Sequence, residues 1–250
     1  MIMGNCILSD FKEATRSKGA KYYLLGTIAL VLIANIAVIC FRFIYGSNEG
    51  TFSYNVFEYA SWCFLIPYYS CILLAMIAMA HDDEKYETLK PWQRYISKLV
   101  VTIMLAVVFL VIAFVLLYVI TSLFHINEGL ILWGVVKSFL EKAFLSLPLW
   151  FAGISFAILF LFIFDKRWKS ILGFAIVTVV IPQIIRVFSL DSFKFEFFRA
   201  IRRYTITQSF GLVPYPSYPD RSVPLIIALG MIYGIAALVI GVVIYSRKEH

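Results

Sequence analysis

The densest charge in the sequence lies in one run, HDDEKYETLKPWQRYISK, at residues 81–98. Three of its acids come first (Asp82, Asp83 and Glu84). Lys85 and Glu87 come next, and bases alone follow at Lys90, Arg94 and Lys98. This order suits a short helix, because acids near the start and bases near the end complement the helix dipole, and an Asp can cap the start. Pro91 is expected to end that helix. We therefore predict a surface for ionic contacts with another protein; a solvated loop and a topology signal are the alternatives.

Sequence patterns for catalysis and metal binding are absent. There is no GxxxxGK[ST] phosphate loop, no HExxH, no GxSxG and no CxxC. The three histidines (His81, His125 and His250) lie outside the long apolar runs, which disfavours Ser–His chemistry or a His-ligated metal within a membrane. The four cysteines are interpreted as small packing residues. We therefore expect no enzyme activity and no cofactor in the chain itself.

The composition is that of an integral membrane protein. Of the 250 residues, 62% are hydrophobic and 15% are charged, and the mean hydropathy is +0.87. Six continuous apolar runs are each long enough for a spanning helix, and their lack of alternation argues against barrel strands. They lie at 22–45, 58–80, 99–124, 144–164, 170–190 and 223–246. The sequence thus predicts an all-α polytopic protein, with residues 1–250 forming a single transmembrane domain.

The basic residues favour one orientation in the membrane. With six spans, the N-terminal segment, the loops after spans two and four and the C-terminal tail lie on the same side, and they hold most of the 22 Lys and Arg. The positive-inside rule makes that side, and both termini, cytoplasmic. Residues 1–21 are predicted to form an amphipathic interfacial helix with Leu8, Phe11 and Ala14 or Thr15 on one face; a frayed tail is the alternative.

Polar and aromatic side chains in or beside the spans suggest a translocation path. Asn35 is expected either to pack against another helix or to contact a substrate, and Arg42 either to snorkel or to pair with Glu49 or Glu58. Prolines are expected to kink spans two and five, at Pro67 and Pro182. No Asp, Glu or Lys is expected near the centre of any span. The candidate path residues are Asn35, Arg42, Glu58, Tyr68, Tyr69 and Gln183.

Three further patterns concern the outer side and span six. Lys137 and Glu141 stand at i, i+4 and are expected to pair on an exposed face. The loop 191–222 begins with an amphipathic segment predicted to lie at the outer interface, with a stripe formed by Leu190, Phe193, Phe197, Ile201 and Tyr204. Gly230 and Gly234 form a small-xxx-small pair that favours close helix contact, either within the chain or across a dimer.

The chain resembles the permease subunits of type-2 ABC exporters over nearly its whole length. The resemblance rests on six spans with both ends inside, on the segment LSDFKEATRSKGAKYYLLG before span one and on the basic turn DKRWKS between spans four and five. The run EKYETLKPWQRYISK is similar to the family pattern E-x-x-x-G-T-x-K followed by Pro, Arg and Lys. It departs from that pattern at Glu87, which takes the Gly position, and in the shorter gap between Lys90 and Pro91.

This resemblance implies partners, cargo and location. It implies an ABC ATPase subunit in two copies that binds Mg-ATP, a second permease chain that is identical or similar, surrounding membrane lipid and no nucleic acid. It implies export of amphipathic antimicrobial or toxin peptides across a bacterial plasma membrane. Lipid or drug export, and a stand-alone channel or secondary transporter, are the alternatives. The residues that it places against the ATPase are Asp82, Asp83, Glu84, Tyr86, Glu87, Leu89, Lys90, Arg94, Asp165, Lys166 and Arg167.

Overall fold

The computed structural model describes residues 2–45, 51–80, 89–124, 131–164, 166–190, 195–214 and 222–248. Every regular element in these ranges is helical. The helices are α1 (Ile2–Arg16), α2 (Lys18–Tyr45), α3 (Phe52–Trp62), α4 (Leu65–Ala78), α5 (Pro91–Phe124), α6 (Trp133–Ile163), α7 (Arg167–Ala175), a π-helix (Ile176–Val180), α8 (Ile181–Phe188), α9 (Glu196–Arg202), α10 (Ile206–Leu212) and α11 (Ser222–Lys248).

Five helices are long and apolar enough to cross a bilayer, and a bent pair makes a sixth if it counts as one span. The five are α2, α5, α6, the continuous stretch from α7 to α8, and α11. The bent pair is α3 with α4, whose axes differ by 57°. The multi-pass, all-helical class expected from the sequence is therefore confirmed.

Span two is bent, as Pro67 predicts. The interruption falls at Cys63 and Phe64, four and three residues before Pro67, which lies in the first turn of α4. Proline has no N–H to donate to the carbonyl four residues earlier, that of Cys63, and its ring crowds that carbonyl. The Pro67 carbonyl accepts hydrogen bonds from Ser70 Oγ (3.1 Å) and Cys71 Sγ (3.2 Å). The kink expected from Pro67 is thus confirmed, with a bend of 57° between α3 and α4.

Span five is interrupted where Pro182 predicts an irregularity. The π-helix Ile176–Val180 directly precedes α8, whose second residue is Pro182. Proline has no N–H to donate to the carbonyl four residues earlier, and a wider π turn absorbs that missing bond. Thr178 Oγ1 donates to the Phe174 carbonyl at 2.8 Å within this stretch.

Helices α6 and α11 approach each other at backbone distance. A Cβ built on Gly230 would lie 2.5 Å from the carbonyl carbon of Pro148, 2.6 Å from its oxygen and 2.7 Å from Leu149 N. A Cβ on Gly234 would meet the Phe151 ring. The small-xxx-small pair of span six therefore makes its close contact within the chain, against α6. Helix α6 is 31 residues long and contains Pro148.

The packed face of the N-terminal helix overlaps the predicted stripe at Phe11 and Ala14 but leaves Leu8 out. Helix α1 contacts α5 and α4, with Asp10 and Ala14 buried and Phe11 half-buried, while Leu8 is 50% exposed. Ser17 then separates α1 from α2, and its Oγ accepts a hydrogen bond from Ala20 N at 3.1 Å. An acid thus sits at the centre of the packed face of α1.

Candidate functional site

The start of α5 holds the described part of the charged run. Lys90 precedes the helix: its N–H donates to Gln93 Oε1 at 3.0 Å, and its carbonyl accepts from the backbone N–H groups of Gln93 and Arg94. Pro91 is the first residue of α5, so this proline begins a helix, as its fixed φ favours at that position. Leu89 is half-buried and Lys90 is exposed. The remaining predicted coupling residues of this run, Asp82, Asp83, Glu84, Tyr86 and Glu87, lie outside the described residues.

The sequence pattern predicts Lys98 in the loop after span two. In the structure it is a buried residue of α5. Only 2% of it is exposed, and its Nζ lies 2.7 Å from Asp10 Oδ2 in α1. The same Nζ donates to the Ala78 carbonyl at 3.4 Å, at the C-terminal end of α4, where carbonyls lack helical partners and a cation is favoured. We call Lys98, Asp10 and the Ala78 carbonyl the inner clamp. It joins α1, α4 and α5 at the two ends of the charged run.

Sequence reasoning missed Asp10 as a functional candidate. Its partner is 88 residues away, so no local pattern links the two. The available signal was its position: Asp10 shares a helical face with Ile7 and Ala14, and an acid on an apolar face needs an opposite charge.

Arg94 is also engaged inside the protein. Its Nη1 donates to the Tyr245 hydroxyl of α11 at 3.1 Å. The Tyr245 ring centroid lies 4.5 Å from that of Phe162, and the Phe162 centroid lies 5.0 Å from that of Tyr95. Gly241 of α11 lies against the Tyr95 hydroxyl, which leaves no room for a side chain. These contacts fasten the inner ends of α5, α6 and α11 to one another.

The basic turn before α7 presents its side chains to the surroundings. Lys166, Arg167 and Lys169 are exposed, and Trp168 between them is 59% exposed. Lys169 Nζ lies 5.8 Å from the centroid of that indole ring. Asp165, predicted to join this contact, lies outside the described residues. The turn thus exposes three cations and an aromatic ring side by side.

A second ion pair, which is partly buried, joins α3 and α6. Lys142 Nζ of α6 contacts Glu58 Oε2 of α3 at 2.7 Å, in a small cleft that Tyr54 and Ser138 also line. Glu58 is thus matched with Lys142, a partner that the sequence reading did not consider. From Lys142 to Phe162, α6 rises roughly 30 Å, about the thickness of the hydrocarbon core. The two ion pairs therefore lie near opposite ends of the apolar slab.

The candidate path residues do not form one site. Tyr68 is buried, with ring contacts to Tyr69 (5.5 Å) and to Phe210 of α10 (5.4 Å). Asn35 is fully buried and donates to the Val31 carbonyl of its own helix at 2.9 Å. Gln183 is exposed on α8, which has no buried residue. Arg42 is half-buried.

No known protein family, no curated protein and no solved structure matches the chain.

Proposed function

We propose that this chain is the membrane-spanning subunit of an exporter driven by ATP hydrolysis on a separate ABC ATPase. The inner clamp carries the proposal. The charged run leaves α4 at Ala78 and enters α5 at Pro91, and Lys98 fastens both ends to α1. A partner that moves this run would therefore move three helices together, because packed helices shift as rigid elements.

The inner surface offers contacts for such a partner. Lys90, Lys166 and Arg167 are exposed, and the sequence places the acids Asp82, Asp83, Glu84 and Glu87 just before Lys90. The chain has no phosphate-binding loop, so Mg-ATP is bound by the partner. Two ATPase subunits and two permease chains form the complete exporter in this proposal.

The second permease chain is supported by two spans that are little covered. In the most apolar 18-residue stretch of α2, only 11% is buried, and the same holds for the α7–α8 span. Such faces are covered by lipid or by another helix, and a path between two copies of the chain would use the face of α2. Substrate would pass at that interface.

The proposed cargo is an amphipathic antimicrobial or toxin peptide, exported across a bacterial plasma membrane. The aromatic content, 23 Phe and 15 Tyr, suits a hydrophobic cargo better than an ion. A stand-alone secondary transporter needs an ionisable group that exchanges protons or ions in the membrane. The buried charges Lys98 and Lys142 are already matched with Asp10 and Glu58, which argues for structural roles.

Charge reversal in the run tests the coupling. In the complex reconstituted with its ATPase, Glu84→Lys/Glu87→Lys is expected to retain basal ATP hydrolysis and to lose peptide transport on the order of ten-fold, a typical coupling energy between sites. Transport into inverted vesicles and phosphate release are measured on the same preparation. Glu141→Lys, a reversal on the opposite side, serves as the matched control. Unchanged transport per ATP in the double variant would count against the coupling role of the run.

A further inference from the structure

The end of the fifth span carries an exposed patch of arginines and apolar side chains. Neither α8 nor α9 has a buried residue. We define the α8–α9 patch by its exposed members, which are Arg186, Leu190, Phe195, Phe197, Arg199, Arg203 and Tyr204. Its four apolar and aromatic members are each between 48% and 68% exposed. A surface with this composition needs a covering that is apolar in one part and anionic in another.

The patch is held in shape by contacts beneath it. Phe188 packs its ring on Phe195 and Phe198, with centroid distances of 6.1 and 5.4 Å. Arg202 faces inward: its Nε donates to Gln208 Oε1 at 3.0 Å and its Nη1 donates to Ser189 Oγ at 3.3 Å. Arg202 therefore fastens α9 to the end of α8 and to α10. The neighbouring bases Arg199 and Arg203 are left at the surface.

The patch is strongly cationic. Among the described residues between Arg186 and Tyr204, four are arginines and the only acid is Glu196. The complementary ligand is therefore an anion, and the arginine fork is suited to phosphate oxygens.

The position of the patch points to the lipid headgroups. From Arg167 to Phe188 the fifth span rises roughly 30 Å, about the thickness of the hydrocarbon core. Phe188 therefore lies near the membrane surface opposite to that of the basic turn. Aromatic side chains are enriched at the boundary between hydrocarbon and headgroups. Phe197 and Tyr204 would lie in that boundary while the arginines reach the phosphates.

We propose that the α8–α9 patch binds the headgroups of anionic phospholipids in the outer leaflet. The proposal does not depend on ATP-driven export. An acidic peptide also has the right charge, but the patch is flanked by the exposed apolar face of a spanning helix, and lipid acyl chains cover such a face. The lipid phosphate and the apolar chain are thus matched by neighbouring parts of one surface.

Native mass spectrometry of the purified full chain tests this proposal. The protein is equilibrated in mixed micelles that contain equal amounts of phosphatidylglycerol and phosphatidylcholine, and the lipids retained per chain are counted. The wild type is expected to prefer phosphatidylglycerol, and Arg186→Gln/Arg203→Gln is expected to reduce that preference about five-fold for each arginine removed. Arg42→Gln/Lys137→Gln removes the same charge elsewhere on the outer side and is expected to retain the preference.

Three results would overturn the proposal. The first is equal retention of the two lipids by the wild type. The second is a preference that survives in Arg186→Gln/Arg203→Gln or falls equally in the control. The third is displacement of phosphatidylglycerol by inorganic phosphate or by an acidic peptide at equal concentration, which would assign the patch to a soluble anion or to a peptide.

Discussion

Gly230→Ala is expected to lower the apparent melting temperature of the purified protein by about 5–10 °C, an effect equivalent to about 3 kcal/mol in a chain of this length. The added Cβ would lie 2.5 Å from the Pro148 carbonyl carbon and 2.6 Å from its oxygen. Backbone atoms cannot turn aside as a flexible side chain can, so α11 must separate from α6. Thermal unfolding in detergent, followed by size-exclusion chromatography, measures the effect.

Gly26→Ala is the matched control for that substitution. Gly26 lies in α2 and has no atom within 4 Å of a built Cβ. The change there is expected to be neutral or to stabilise by up to about 1 kcal/mol, because alanine favours a helix over glycine. If both variants melt with the wild type, α6 and α11 do not meet as described.

Lys98→Met is expected to destabilise the protein by about 3–5 kcal/mol, since it removes the lysine from a buried ion pair and leaves the carboxylate of Asp10 without that cation. The side chains of Lys98 and Asp10 are only 3% and 1% exposed. The yield of monodisperse protein and the midpoint of thermal unfolding are the measurements. The expected loss should appear as aggregation on purification or as an early transition.

The double variant Asp10→Leu/Lys98→Met separates charge pairing from packing. Replacing both charges with apolar groups is expected to recover most of the lost stability, as it does for other buried pairs. Lys137→Met is the surface control: the pair with Glu141 spans 3.9 Å, both side chains are about two-thirds exposed, and the expected cost is at most about 0.5 kcal/mol. A double variant as unstable as Lys98→Met alone would show that the two side chains act separately.

Recovery in that double variant would also inform the function. If the inner clamp transmits motion from the charged run, a stable protein without the clamp should hydrolyse ATP with its partner but transport poorly. The stability and coupling roles of Lys98 are thereby distinguishable.

Long apolar runs predicted the helices well, because a spanning helix must satisfy its own backbone and so leaves a strong local signal. The i, i+4 pairing of Lys137 with Glu141 is likewise local and is confirmed at 3.9 Å. The bend of span two was also predicted, because a proline disrupts a helix about one turn before itself, and Pro67 follows the break at Cys63 by four residues.

The inner clamp and the outer ion pair escaped prediction for a common reason. Asp10 and Lys98 are 88 residues apart, and Glu58 and Lys142 are 84 residues apart. Helix packing alone decides which of several charges near a span's end turns inward. From the sequence alone, Lys98 is interpreted as a topology signal. Only its contacts with Asp10 of α1 and the Ala78 carbonyl of α4 show that it links these helices to α5.

Copurification from the native membrane tests the central claim most directly. The tagged full-length chain is extracted in mild detergent, its stable partners are identified and counted, and ATP hydrolysis by the complex is measured with and without candidate peptides. The account predicts an ABC ATPase in equal number to this chain, with hydrolysis that the transported peptide stimulates. A chain that purifies without any ATPase and by itself moves ions or peptides across vesicles would contradict the account.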